Sequence, residues 1–141
     1  MKSESIHGKS PQEIQNALES IIKNEFNPSL AVVFISVKQD RTAVTEILKK
    51  YDIDVFGASS CGEFVNGHQS KGEIVILLMD LAREAYSIEF EEIGEHSIQE
   101  AARKIANSVR SRFPNPAMIV CSTGVSPSFQ LFDGITLVHE L

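Results

Sequence analysis

The sequence is short of most features that single out a function class. It has two cysteines, Cys61 and Cys121, in 141 residues. That is too few for the disulfide framework of a small secreted domain, so both are expected to be free thiols packed near strand ends. The longest apolar run, Ile74 to Met79, falls far below the roughly 20 residues of a membrane helix, which argues against insertion by that route. The opening MKSESIHGKS has neither an apolar h-region nor a small-residue cleavage site, so no signal peptide is read and a cytoplasmic location is expected. Positive charge is scarce, with 13 Lys and Arg against 19 Asp and Glu and a net charge of -6. Nucleic acid is therefore a poor partner, because phosphate backbones are bound mainly through Lys and Arg. No internal repeat or low-complexity tract is visible.

What is present is ordinary for a soluble globular chain: 43% hydrophobic and 23% charged residues, in a length that suits one domain able to bury a core. The expectation is a single domain over residues 1–141, with residues 1–9 as a polar, flexible arm. Ser10-Pro11-Gln12-Glu13 is a capping box with Pro at the first helical position, and Ile14, Ala17, Leu18, Ile21 and Ile22 recur at helical spacing. Leu30 to Val37 is a near-continuous β-branched and aromatic run, the pattern of a strand covered on both faces. Asp40 caps a second helix with a stripe of Ala43, Val44, Ile47 and Leu48.

Ile53 to Ala58 is the next buried strand, and the strand, helix, strand order implies a right-handed parallel crossover. Asn66-Gly67 and Lys71-Gly72 mark turns before a further buried strand, Glu73 to Leu81. From Glu84 to Ile93, Tyr86, Ile88 and Phe90 alternate with polar residues, which predicts a strand with one wet face, antiparallel to its neighbour. Ser97 to Glu100 repeats the capping box ahead of a helix with Ile98, Ala102, Ile105 and Val109 on one stripe, and Ala117 to Cys121 reads as a short strand. Asp133-Gly134 opens a last apolar periodic segment that Leu141 cuts, so the domain is expected to be incomplete at its C-terminus. Together these elements predict an α/β fold: a mixed, mostly parallel β-sheet flanked by helices, with at least one antiparallel strand.

The stretch Asp54 to Phe64, DVFGASSCGEF, places small and hydroxyl residues and one acid at the carboxyl end of a buried strand, where open α/β sheets hold their ligands. CSTG, Cys121 to Gly124, repeats that arrangement weakly. A phosphate loop is excluded because Glu63, not Lys, follows Gly62, and Gly57 and Gly62 do not fit the dinucleotide fingerprint. Ala58-Ser59-Ser60-Cys61-Gly62 approximates a nucleophile elbow, with Asp133 and His139 following in the order of a serine hydrolase. No helix pattern follows Ser60, however, so this enzyme reading is the alternative and no catalytic residue is assigned. The histidines His7, His68, His96 and His139 show no metal-ligand spacing, His68 reads as a solvated loop residue, and neither metal nor cofactor is expected. Glu63 has two readings that the residues leave open: a pocket carboxylate that accepts from an amine, or a solvated turn acid. A crevice of N–H and hydroxyl donors with one carboxylate suits a small zwitterion such as an amino acid.

The strand AVVFIS (Ala31 to Ser36), the turn VFGASSCGEF (Val55 to Phe64), the strand GEIVILLMDL (Gly72 to Leu81) and LFDGITLVHEL (Leu131 to Leu141) together resemble the N-terminal part of the FIST domain, a sensory domain of signalling proteins. The resemblance implies a small-ligand sensor, with an amino acid or a derivative as ligand, and marks Gly57, Ser59, Ser60, Gly62, Glu63, Asp133 and Gly134 as ligand-binding. It also implies partners: a C-terminal FIST portion and a signalling module, or a second copy in a homodimer. Ala58 stands where the family often has Cys, and Cys61 where a small residue is common, so neither cysteine is assigned a function. A non-catalytic interaction or dimerisation module is the remaining alternative.

Overall fold

The computed structural model describes residues 1–93 and 97–122. The chain divides into two compact units, Met1–Tyr86 and Ser87–Leu141. The first contains six strands and two helices: β1 (Lys2–Gly8), α1 (Pro11–Ile22), β2 (Leu30–Ser36), α2 (Arg41–Lys50), β3 (Asp54–Ser60), β4 (Glu63–Val65), β5 (His68–Ser70) and β6 (Ile74–Asp80). Four of the strands form one sheet in the order β1-β6-β2-β3, and β4 and β5 form a separate hairpin. The sheet is mixed, as the sequence implied, but not mostly parallel: β2 and β3 run parallel, while β6 is antiparallel to both β1 and β2.

Both helices start where their caps place them. Ser10 accepts from the Glu13 N–H and Asp40 from the Ala43 N–H, at 3.3 and 3.0 Å, each satisfying a donor left free in a first turn. Their buried residues, Ile14 and Leu18 on α1 and Val44, Ile47 and Leu48 on α2, meet Ile6, Ala31, Val33, Ile35, Ile74, Ile76 and Leu78 of the sheet in one core. The ladder register puts these strand residues on the same face, so α1 and α2 cover one side of the sheet. Burying a side chain of this size contributes about 1.5–3 kcal/mol, which is why a stripe of two or three residues suffices to seat each helix. On the opposite face lie Val32, Phe34, Ser36, Val75 and Leu77, with Ser60 at the end of β3 and His7 on β1.

Several expectations are corrected. Residues 1–9 are not an arm, because Lys2–Gly8 pair along their length with β6, from Lys2 opposite Asp80 to Gly8 opposite Ile74. Only Ile6 and Gly8 of this strand are buried; an edge strand is held by its ladder and needs no apolar run, and its polar residues discourage pairing with another chain. Glu84 to Ile93 is not a strand either: Arg83–Ala85 form a single 3-10 turn and residues 86–93 carry no regular structure. Two of the apolar positions of its alternation face outward, Phe90 being 87% and Ile88 40% exposed. In place of a ladder, the Tyr86 hydroxyl lies 2.7 Å from Asp54 Oδ2 and 3.1 Å from the Ser29 carbonyl oxygen. Arg83 donates to Asp52 and Asp54.

In the second unit α3 (Ile98–Arg112) starts at the Ser97 capping box, in which both reciprocal hydrogen bonds are present. Its buried stripe is Ile98, Ala101, Ala102, Ala106 and Val109. Ser108 donates to Glu89 at 3.0 Å and Lys104 pairs with Glu91, so residues near 90 are tied to this helix through its polar face. Ala117 to Cys121 shows no strand pairing and is exposed along its length, which corrects the short strand expected there. No helix among the described residues is long and apolar enough to cross a membrane.

Candidate functional site

β3 continues through Ser60, so the small residues of DVFGASSCGEF are strand residues up to that point and the chain turns only at Cys61-Gly62. The parallel crossover β2-α2-β3 sets the carboxyl ends of β2 and β3 side by side, with the amino end of α2 on the same side of the molecule. Gly57 lies opposite Val33 and Ser59 opposite Ile35. These two neighbours are buried on the helical face, whereas Gly57 and Ser59 are exposed at the sheet edge. A Cβ on Gly57 would stand 1.9 Å from the Val33 carbonyl oxygen. Close approach of the two backbones requires this glycine, and a positive φ does not.

Past Gly62 the chain folds back as the β4–β5 hairpin. Asn66 and Gly67, at φ 49° and 81°, form its two-residue turn, which is the pairing of residues and positive φ values that such hairpins favour. The hairpin carries Glu63 inward, only 2% exposed. Glu63 Oε1 accepts from the Ser60 hydroxyl at 2.6 Å, and Oε2 accepts from the N–H groups of Gly72 and Glu73 at 2.9 and 3.1 Å. Burial pushes this carboxyl up, but the bonds from Ser60, Glu73 and Gly72 together outweigh it and hold the group below its ordinary value. Glu63 is therefore not a solvated turn acid. It ties the end of β3 to the start of β6, with three of its roughly four acceptor positions occupied.

Next to it stands a second buried acid, Glu73, 7% exposed. Its Oε2 lies 3.2 Å from His68 Nε2 and 3.5 Å from His7 Nδ1, and the two imidazole rings are tilted by 31° with centroids 5.0 Å apart. Burial pushes the Glu73 carboxyl up, and the bond and charge of His68, with further contributions from Ser70 and His7, bring it below its ordinary value. His68 is thus engaged and not free in solvent, a correction to its reading from sequence. His7, His68 and Glu73 come from β1, β5 and the residue before β6; no spacing rule links positions 7, 68 and 73, and only the fold of the hairpin over the sheet reveals the group.

Of the residues singled out in the sequence, Gly57, Ser59, Ser60, Gly62 and Glu63 fall together at the end of β3. Asp133 and Gly134 lie outside the described residues, as do His139 and the Thr123-Gly124 half of CSTG. Cys61 and Cys121 are free and both exposed, which corrects the expectation that they pack inside. Ser60 sits in extended strand backbone with its hydroxyl donated to Glu63, not on a strand-to-helix elbow.

A mixed sheet with helices on one face and a hairpin closing the carboxyl end of its parallel pair defines a small α/β domain with its buried acids, Glu63 and Glu73, at that end. The FIST N domain model matches residues 29–140, and the chain belongs to that family of sensory domains of signalling proteins. No curated protein and no solved structure matches the chain.

Proposed function

We propose that this chain is a non-catalytic sensory domain whose small ligand, an amino acid or a derivative, binds at the carboxyl end of β3. The observation that carries this reading is the uncovered strip of Gly57 and Ser59 beside the turn at Gly62, on an edge strand whose neighbour β2 is buried. Glycine leaves the backbone open there, and Ser59 offers a hydroxyl. Ser60 and Glu63 act behind this surface: their hydrogen bond and the two N–H bonds to Glu63 hold the turn in one shape. Gly62, Asp133 and Gly134 complete the proposed set, and occupancy is passed to a C-terminal FIST portion or a signalling module. A catalytic role for Ser60 is disfavoured by its commitment to Glu63.

The test is thermal denaturation against an amino-acid library, since a ligand that prefers the folded state raises its melting temperature. The expected result is a shift with a small set of amino acids that Ser59→Ala reduces while leaving the unliganded melting temperature unchanged. A flat response from well-folded protein rejects the reading. Labelling of Ser60 by a serine-reactive phosphonate would instead establish the hydrolase.

A further inference from the structure

We infer that His7, His68 and Glu73 form a binding site for a single divalent transition-metal ion of the zinc class. Ligands 2.0–2.2 Å from a tetrahedral ion stand roughly 3.3 Å from one another. The separations from Glu73 Oε2 to His68 Nε2 and to His7 Nδ1, 3.2 and 3.5 Å, are those of donors facing one ion. All three donor atoms lie within 4.8 Å of one another, so small rotations of the two imidazoles close the triangle. Two imidazoles and a carboxylate are a donor set suited to zinc, cobalt and nickel, and unsuited to calcium or magnesium, which take oxygen ligands.

The surroundings divide the work as a metal site requires. Glu73 is buried and fixed along its backbone, its N–H bonded to Glu63 and its carbonyl oxygen accepting from the Ser36 N–H at 3.1 Å. The two histidine side chains are 49% and 47% exposed, which leaves a path for the ion and a fourth position for water or an outside ligand. Without an ion the same group is a polar cluster in which two imidazoles compete for one carboxylate oxygen. An ion between them replaces that competition with three separate bonds.

Titration of the chelator-treated full chain with cobalt(II), followed in the visible spectrum, tests the site. The expected result is one cobalt per chain with the intense bands of tetrahedral coordination, displaced by zinc. Because loss of an outer-shell partner alone weakens metal sites about 10–100-fold, His7→Asn with His68→Asn is expected to cost at least about 100-fold in affinity. Glu73→Gln is expected to weaken binding less. Both histidines are half-exposed, and circular dichroism checks that the double variant stays folded. A second measurement uses the unaltered chain: zinc is expected to protect His7 and His68 from diethyl pyrocarbonate, read by peptide mass. Equal cobalt affinity in the chain and the double variant, absence of binding at millimolar cobalt, or unprotected histidines with zinc bound would each overturn the inference.

Discussion

The parallel pair β2–β3 carries a polar cluster at each end. At the carboxyl end Glu63 and Glu73 are 2% and 7% exposed, and their oxygens take backbone N–H groups, a hydroxyl and two imidazoles. At the amino end Arg83 clasps Asp52 and Asp54 with side chains that are 44%, 94% and 45% exposed. Solvent competes for every bond of the Arg83 clasp, whereas the bonds of Glu63 have no substitute once broken. Burial, and not the number of contacts, therefore separates a cluster that shapes the turn from one that merely decorates the opposite edge.

The largest expected effect follows from that difference. Glu63→Ala strands the Gly72 and Glu73 N–H groups, each at about 1–3 kcal/mol if buried without a partner, so urea unfolding should show a loss of about 3 kcal/mol. Glu63→Gln, which keeps one carbonyl acceptor, should recover part of it. The same carboxyl gives a pH signature. Its folded value lies below the ordinary 4.5, so its stabilisation is complete above the unfolded value and disappears as pH falls through the folded one. Chelator-treated protein should lose stability on acidification below about pH 4.5, and Glu63→Gln should flatten that decline. A decline of equal slope in both proteins would show that Glu63 does not carry it.

An intermediate effect is expected at Gly57, where an added methyl group must push β3 off the Val33 carbonyl. Forcing extra volume into a packed place costs about 1–3 kcal/mol, and Gly57→Ala should show this by equilibrium denaturation. It should also weaken ligand response if the exposed strip is the binding surface. The smallest effect is expected from Arg83→Ala. Its ion pairs are exposed, so any loss in melting temperature at low salt should vanish at about 1 M, where charges are screened within about 3 Å. A loss as large as that of Glu63→Ala would break the comparison, since exposure would then fail to predict the weight of the two clusters.

Much of the fold was legible because its signals are local. Ser10, Asp40 and Ser97 announce three helices through bonds to groups three residues away, Asn66-Gly67 announces a hairpin through its own φ values, and the β-branched runs at β2 and β6 identify strands by side-chain type alone. The α/β class and the family likeness rest on these pieces. The Glu84 to Ile93 stretch has an equally clear period of two, yet Arg83 and Tyr86 find Asp52, Asp54 and Ser29 in place of a strand partner. Alternation describes what a segment can pair with and does not supply the pair.

By itself, then, the sequence determined where helices begin, that the runs of β2 and β6 are largely buried, and that a small-residue turn follows β3. Ile53 to Ala58, read as a third buried strand, is buried only at Ile53, because β3 lies at the edge of the sheet. Only the tertiary structure decided that Lys2–Gly8 is a strand, since its ladder partners lie as far away as Asp80. It likewise decided that Glu63 is a buried tie and that His7 and His68 meet over Glu73. The physical reason is the same in each case: a cap or turn is closed by bonds within a few residues, whereas a ladder, a buried carboxylate or a cluster of ligands acquires its partners only when distant strands are brought into register.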